Sequence, residues 1–424
     1  MEVVSYGDFS RELHQKVMGE RVPTEATIEV TRRCPLTCAH CYNNLPMNDA
    51  EARRTELSYE EHCRILDELA DLGCLWLLFT GGEIFARPDF LDIYTYAKRK
   101  GFLITLFTNG TLITERVADY LMDWPPFSIE ITLYGRTRET YEKLTGIKGS
   151  FDRCLRGINL LKERNLPLKL KTVAVTTNAH EIFSMKQFAE SELGLEFKFD
   201  AMMSPRIDCS QSPLGVRLTP EEVVELDLQD AQRVAEWQRF AKQFNGPVHK
   251  SDESDEIYHC GGGISSFSVD PQGRMSICVL SHSDTYDLRR GSVREGWQDF
   301  LLKVRRKKAT MLTKCRACEI KALCGMCPAN GELESGHAEK PVDFLCSVAH
   351  LRGQLMGFAP PPHGECEYCE GGSKHEELMA SVERLRKRDR ERAGALQSRN
   401  RYLPVLTATA GAGGCSSGGC SSLH

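Results

Sequence analysis

Ala26-Thr27-Ile28-Glu29-Val30 is an apolar, strand-like run, and soon after it comes Cys34-Pro35-Leu36-Thr37-Cys38-Ala39-His40-Cys41-Tyr42. Cys34, Cys38 and Cys41 stand in a C-x-x-x-C-x-x-C spacing, which supplies three thiolates from one tight loop. A cubic [4Fe–4S] cluster held this way has four irons but only three protein ligands, so one iron stays open. An open iron suits a cluster that binds and reduces something, whereas an ordinary electron carrier is closed by four cysteines. A zinc loop and a trio of core cysteines are the competing readings, since cysteine is often simply buried.

A second apolar run, Leu75-Trp76-Leu77-Leu78-Phe79, ends in Thr80-Gly81-Gly82-Glu83. A glycine pair at a strand end lets backbone approach a ligand closely, and Glu83 offers a carboxylate for an ammonium group. The cysteine loop, with His40 directly before its third cysteine, and this Gly-Gly-Glu turn together resemble the radical S-adenosylmethionine (SAM) superfamily. The resemblance implies that Gly81, Gly82 and Glu83 hold the amino group of the methionyl end of the cofactor. Thr108-Asn109-Gly110, after the third strand, would add Asn109 to the same site. Ile131-Thr132-Leu133-Tyr134-Gly135 resembles the family segment whose hydroxyl meets the cofactor, with Thr132 in place of the usual serine. Arg153 would pair with the cofactor carboxylate, or is a solvated helix arginine. No residue is assigned to the catalytic hydrogen abstraction.

Strand-like runs recur at Ala26–Val30, Leu75–Phe79, Leu103–Phe107, Ser128–Leu133, Leu168–Val175 and Glu196–Ala201. Helix-like stretches fall between them, the first opening on Ser58-Tyr59-Glu60-Glu61, a capping box. Others are Arg87–Lys100, Thr114–Met122, Ser150–Asn165 and Glu181–Leu193. Six such units argue for an α/β fold with a parallel sheet, and the family's fold is a partial (βα)6 TIM barrel. Chemistry in such barrels sits at the C-terminal strand ends, where both motifs lie.

The 424-residue chain has room for one domain of about 200 residues and a second unit. Its 41% apolar and 27% charged content is ordinary for a globular protein. A formal net charge of −5 argues against nucleic acid as a partner. No run approaches the roughly 20 apolar residues of a membrane helix, and Met1-Glu2-Val3-Val4-Ser5 lacks a secretory pattern. Eighteen cysteines in such a chain read as metal ligands, and a cytoplasmic location is expected.

The expected organisation is an N-terminal lead at 1–25, the barrel at 26–205, a bridging region at 206–258, a cysteine-rich unit at 259–350 and an extension at 351–424. Thr219–Asn245 reads as one bridging helix with Thr219 as N-cap and Pro220 at N1. The acidic cluster Asp252–Glu256 reads as a solvated loop. Cys260, Gly273 and Cys278 are followed by Cys315-x2-Cys318-x5-Cys324-x2-Cys327 and Cys346. This order resembles the SPASM extension of radical enzymes, a small cysteine-rich domain that holds two auxiliary iron–sulfur clusters, here expected as [4Fe–4S]. By that resemblance Cys260, Cys278 and Cys327 hold one cluster, and Cys315, Cys318, Cys324 and Cys346 the other. Two residues separate Cys324 and Cys327 where the family usually has three. A zinc ribbon from Cys315, Cys318, Cys324 and Cys327 is the alternative. The fourth ligand of the first cluster is open, or is Cys209. Cys63, Cys74 and Cys154 read as buried core cysteines.

Cys366-x-x-Cys369 follows Pro360-Pro361-Pro362, and binds metal, pairs with substrate or is idle. His375–Ala393 reads as a helix whose basic run is a solvated face. Gly413-Gly414-Cys415-Ser416-Ser417 repeats at once through Cys420, and such a Gly/Ser tail is expected to be flexible.

The resemblance implies reductive cleavage of SAM to a 5′-deoxyadenosyl radical that abstracts a substrate hydrogen. Enzymes of this architecture mostly modify peptides, so an oxidoreductase acting as a peptide maturase is expected, forming a thioether or related cross-link in a ribosomally made peptide. Formylglycine-forming sulfatase maturases, quinone-precursor cross-linking enzymes and small-molecule oxidoreductases are the alternatives, with an electron carrier of closed clusters as the non-enzymatic one. Expected partners are a peptide substrate and a flavodoxin- or ferredoxin-type reductant. About 25 residues precede the first strand, so leader recognition would fall to the bridge, the C-terminal region or a separate protein.

Overall fold

The computed structural model describes residues 5–17, 19–245 and 256–401. The tail with Cys415 and Cys420, and all of the acidic cluster but Glu256, lie outside the described residues. Six strands, β1 (Glu25–Thr31), β2 (Trp76–Gly81), β3 (Leu103–Thr108), β4 (Ser128–Thr132), β5 (Leu168–Val173) and β6 (Phe197–Asp200), lie side by side in chain order and pair in parallel. Between them run helices α1 (Tyr59–Asp71), α2 (Phe90–Arg99), α3 (Glu115–Asp123), α4 (Arg138–Thr145) and α5 (Ser150–Glu163). This is the parallel sheet that the alternation of runs implied, in the open, partial-barrel form that the family resemblance implied.

Period-two burial sets the two faces. Along β5, Leu168, Leu170 and Thr172 are buried, while Lys169, Lys171 and Val173 are half-buried on the opposite face. The buried face of β2 carries Leu77 and Phe79, and Phe79 meets Phe90 of α2 edge-on at 5.5 Å. Each such side chain contributes roughly 1.5–3 kcal/mol on burial. α1 starts where the sequence said it would: the Ser58 hydroxyl accepts from the Glu61 amide at 3.2 Å, and the Ser58 amide donates to the Glu61 carboxylate at 2.7 Å. Its Ile65, Leu66 and Leu69 are fully buried.

The sheet does not stop at β1. A hairpin of β7 (Ser266–Val269) and β8 (Arg274–Ser276) joins it, β7 pairing in parallel with β1 from Glu25↔Ser266 to Ile28↔Val269. A short β9 (Tyr286–Asp287) completes nine strands in the order β9-β8-β7-β1-β2-β3-β4-β5-β6. Gly273 makes the hairpin turn at φ +80°, a left-handed value that favours glycine. The cysteine-rich unit is thus fused to the barrel through backbone hydrogen bonds.

Several expectations need correction. The bridging helix is two helices, α6 (Pro220–Leu228) and α7 (Ala231–Phe244), because the Asp230 carboxylate accepts from the Gln232 and Arg233 amides and starts a new helix. Helices α8 (Pro328–Ser335), α9 (Asp343–Met356) and α10 (His375–Arg401) follow. The basic face of α10 is not simply solvated: Arg384 pairs with Glu221, and Arg388 and Arg392 with Glu225 of α6. Cys74 and Cys154 are core residues as expected, but Cys63 is only half-buried. No helix among the described residues is long and apolar enough to cross a membrane.

Candidate active site

The loop after β1 is closed at its base, where Arg33–Cys34 pairs with Leu45–Pro46 and the Leu45 amide donates to the Arg32 carbonyl at 2.7 Å. Its outer part is fastened to α4 through Thr37 N–H to the Thr145 carbonyl and Ala39 N–H to the Leu144 carbonyl. Cys34 is buried, and Cys38 and Cys41 are half-buried. Cys38 lies in the field of Cys41 and Cys34, and Cys34 in that of Cys41, and burial pushes all three thiols up, Cys34 to about 12. Three thiolates cannot share so dry a site without a cationic centre among them. Among the described residues, one group of metal-ligand atoms falls within 4.8 Å of one another, and it is not this trio. At least two of the loop thiols therefore stand farther apart than the ligands of a single tetrahedral ion with bonds of about 2.3 Å, so the trio as placed does not close on one zinc.

Buried polar groups fix the loop. The Glu29 carboxylate, at the inner end of β1, accepts from the Tyr42 hydroxyl at 3.0 Å, the Asn43 amide at 2.5 Å and Arg32 at 3.1 Å. Arg33 is held by Glu56 at 2.8 Å. From the bridging region, Arg206 donates to the Cys41 carbonyl at 3.2 Å and to both oxygens of Asn44 at 2.9 Å. Sequence reasoning gave Glu29 and Arg206 no such role; lone charged residues at a strand end and in a loop carry no spacing signal.

The Gly-Gly-Glu turn serves the loop as well. Gly81 has φ +136°, and a Cβ there would lie 2.1 Å from the Thr31 carbonyl; at Gly82 it would lie 2.4 Å from the Arg32 carbonyl. The close approach is to the chain's own backbone: Gly82 N–H donates to Thr31 and Glu83 N–H to Arg33. The Glu83 carboxylate accepts from the Thr108 hydroxyl at 2.7 Å and from the amides of Asn109 at 2.8 Å and Phe85 at 3.2 Å. Burial outweighs these three donors and pushes its carboxyl up to about 7. Asn109 in turn donates its side-chain amide to the Cys34 sulfur at 3.5 Å. Strand ends β1, β2 and β3 are thereby locked into one unit around Cys34.

Two polar atoms here lack partners. The His40 Nδ1 is buried and unpartnered, its ring 5.2 Å from that of Tyr134, and the half-buried Thr132 hydroxyl has no hydrogen-bond partner among the described residues. Both could receive a bound cofactor. Arg153, by contrast, is exposed on the first turn of α5, without a side-chain hydrogen bond or ion pair among the described residues. Lys171, which the sequence reading passed over, stands on the inner strand face 3.1 Å from Glu130, and burial lowers its ammonium to about 8. The period-two pattern of β5 was the signal for it.

The C-terminal thiols fall into two neighbourhoods. Cys278 lies in the field of Cys327 and Cys260; Cys324 lies in that of Cys318 and Cys315, and Cys346 in that of Cys324 and Cys315. Cys324 and Cys327 diverge despite their short spacing because Gly325 turns the chain at φ +73° and Pro328 begins α8. Cys315, Cys318, Cys324 and Cys327 line one cavity, together with Ile257, Met311 and Met326. Cys209 is exposed, its sulfur 3.7 Å from His282 Nε2.

Residues 28–189 match the radical SAM superfamily. The barrel is a radical SAM domain. Among curated relatives, the Fe-coproporphyrin III synthase of Methanosarcina barkeri is 36% identical over 163 residues, covering 38% of this chain and 40% of that protein. The AdoMet-dependent heme synthase of the same organism is 26% identical over 324 residues, covering 73% of this chain and 92% of that protein. The PqqA peptide cyclase of Granulibacter bethesdensis is 32% identical over 169 residues, covering 40% of this chain and 44% of that protein. The chain thus spans less than half the length of the first and third of these relatives. In fold it is similar to Streptococcus suis SuiB solved with S-adenosylmethionine, with a TM-score of 0.60, 16% identity and 82% of each chain covered.

Proposed function

We propose that this radical SAM enzyme is an oxidoreductase that matures a peptide, forming a thioether or related cross-link. The observation that carries the reading is the pair of thiol neighbourhoods beyond the barrel, one of them with three members only. In this reading Cys34, Cys38 and Cys41 hold the [4Fe–4S] cluster of the barrel. Cys260, Cys278 and Cys327 hold one auxiliary cluster, and Cys315, Cys318, Cys324 and Cys346 the second. With cluster and SAM bound, the cofactor supplies a 5′-deoxyadenosyl radical for hydrogen abstraction. The chain's residues orient and shield it: Glu83 offers its remaining lone pair to the methionyl ammonium, and Asn109 fixes Cys34 through its N–H. Thr132 and the orphaned His40 Nδ1 meet the nucleoside end. Arg153 would reach the cofactor carboxylate only by swinging from its solvated position. Relatedness to the PqqA peptide cyclase over the barrel supports a peptide substrate. A flavodoxin- or ferredoxin-type protein would deliver electrons.

A second reading, chemistry on a porphyrin, is favoured by the alignment with the heme synthase over 73% of this chain. Reduced, iron-replete enzyme given SAM and either cysteine-containing peptides encoded beside it or an iron porphyrin separates the two. A loss of two hydrogens from a peptide supports maturation. Formation of heme with no change in any peptide would replace it by the second reading.

A further inference from the structure

Beyond the thiol sets above, one cluster of side chains is built for a metal in a different way. His350 lies in α9, four residues after Cys346, and His363 follows the run of three prolines. Cys366 and Cys369 sit on a turn tightened by the Cys366 amide to the His363 carbonyl at 3.3 Å and the Cys369 amide to the Cys366 carbonyl at 3.4 Å. All four are buried, with exposures of 3–8%. One ligand atom from each lies within 4.8 Å of the others. The Cys366 sulfur is 3.4 Å and the Cys369 sulfur 3.8 Å from His350 Nε2, and the Cys369 sulfur is 3.3 Å from His363 Nδ1. A tetrahedron with Zn–S near 2.3 Å and Zn–N near 2.0 Å has edges of about 3.3–3.8 Å.

We propose that His350, His363, Cys366 and Cys369 form a closed zinc site that ties α9 to the coil before α10. Two thiolates and two neutral imidazoles balance the charge of one divalent ion, and four tetrahedral N/S ligands select zinc. The tautomer of His350 is already set, because its Nδ1 is 2.7 Å from the Cys346 carbonyl; an N–H there leaves the Nε2 lone pair for the ion. The His363 Nδ1 also stands 3.1 Å from the Pro361 carbonyl and would exchange that contact for the metal. With four protein ligands no position is left for substrate, so the site is structural. The segment it anchors, residues 357–374, contains no helix or strand of its own. Cys366 also lies in the field of Cys315, Cys318 and Cys346, so the site stands directly beside that thiol set.

The test is metal analysis of the full chain expressed with both iron and zinc. About one zinc per chain is expected in the unmodified protein and in a Cys34→Ala/Cys38→Ala/Cys41→Ala variant. Cys366→Ser/Cys369→Ser should lose the zinc and keep its iron, while His363→Cys, which replaces one ligand by another, should retain zinc. Cobalt loaded into the unmodified chain should give the visible bands of a tetrahedral two-thiolate site, a readout that does not depend on either variant folding. Zinc absent from the unmodified chain would overturn the proposal. So would zinc undiminished in Cys366→Ser/Cys369→Ser, or loss of about four irons with that pair, which would assign the thiols to an iron–sulfur cluster instead.

Discussion

The cysteine loop at Cys34–Cys41 and the cysteines from Cys260 to Cys346 gather thiols in opposite ways. The loop takes three sulfurs from eight consecutive residues and is held by buried and half-buried groups of other segments, among them Glu29, Glu56 and Arg206. The C-terminal sets take their sulfurs from a hairpin, two short turns and α9, and one of them joins Cys346 to partners about 20–30 residues earlier. A loop of the first kind is preorganised before any cluster arrives. Sets of the second kind close long stretches of chain, so a cluster bound there would be coupled to local folding, as in other metal-dependent small domains.

That contrast makes the largest prediction. Cys34→Ala/Cys38→Ala/Cys41→Ala should lose about four of about twelve irons while the barrel keeps its fold by circular dichroism. Unfolding of the barrel in this variant would mean that the loop is no more preorganised than the C-terminal sets. Gly81→Ala comes next: a Cβ 2.1 Å from the Thr31 carbonyl at a left-handed φ should cost roughly 2–4 kcal/mol. The measurement is thermal unfolding without cluster, where a melting point within a degree of the parent would remove the tight β1–β2 approach from the account.

Glu83→Gln should weaken SAM binding about ten- to hundredfold with iron unchanged, because a charge-assisted hydrogen bond contributes roughly 1.5–3 kcal/mol. The sign with pH follows from a carboxyl raised from 4.5 to about 7. In the cofactor-free chain its proton stabilises the fold fully below about 4.5, and that contribution is lost as pH rises through about 7. Binding of an ammonium runs the other way, so SAM affinity should climb from about pH 6 to about pH 8 and go flat in Glu83→Gln; calorimetric titration checks both. The smallest effect belongs to Arg153→Ala, which should change stability by no more than about 0.5 kcal/mol. A weakening of SAM binding beyond about tenfold would return this exposed arginine to the site.

Much of this was legible because it is periodic or closely spaced. The alternation of apolar runs marked all six barrel strands, and the Ser58–Glu61 capping box located the start of α1. The cysteine spacings gave the loop directly. What escaped has no local signature. The pairing of β7 with β1 joins residues about 240 apart, and Asp230 as an N-cap inside an otherwise helical run looks like any exposed carboxylate. The glycines of the Gly-Gly-Glu turn announced a close approach, but not that the neighbour was the Thr31–Arg33 backbone. His350 could not be linked to Cys366 and Cys369 from sequence, because a single histidine in an amphipathic helix reads as core.

The most direct measurement is SAM cleavage by the anaerobically reconstituted, dithionite-reduced chain. 5′-Deoxyadenosine should form with the unmodified protein and be absent with Cys34→Ala/Cys38→Ala/Cys41→Ala. An iron-replete chain that yields no 5′-deoxyadenosine, or equal yields from both proteins, would contradict the assignment of the loop as the radical-generating centre.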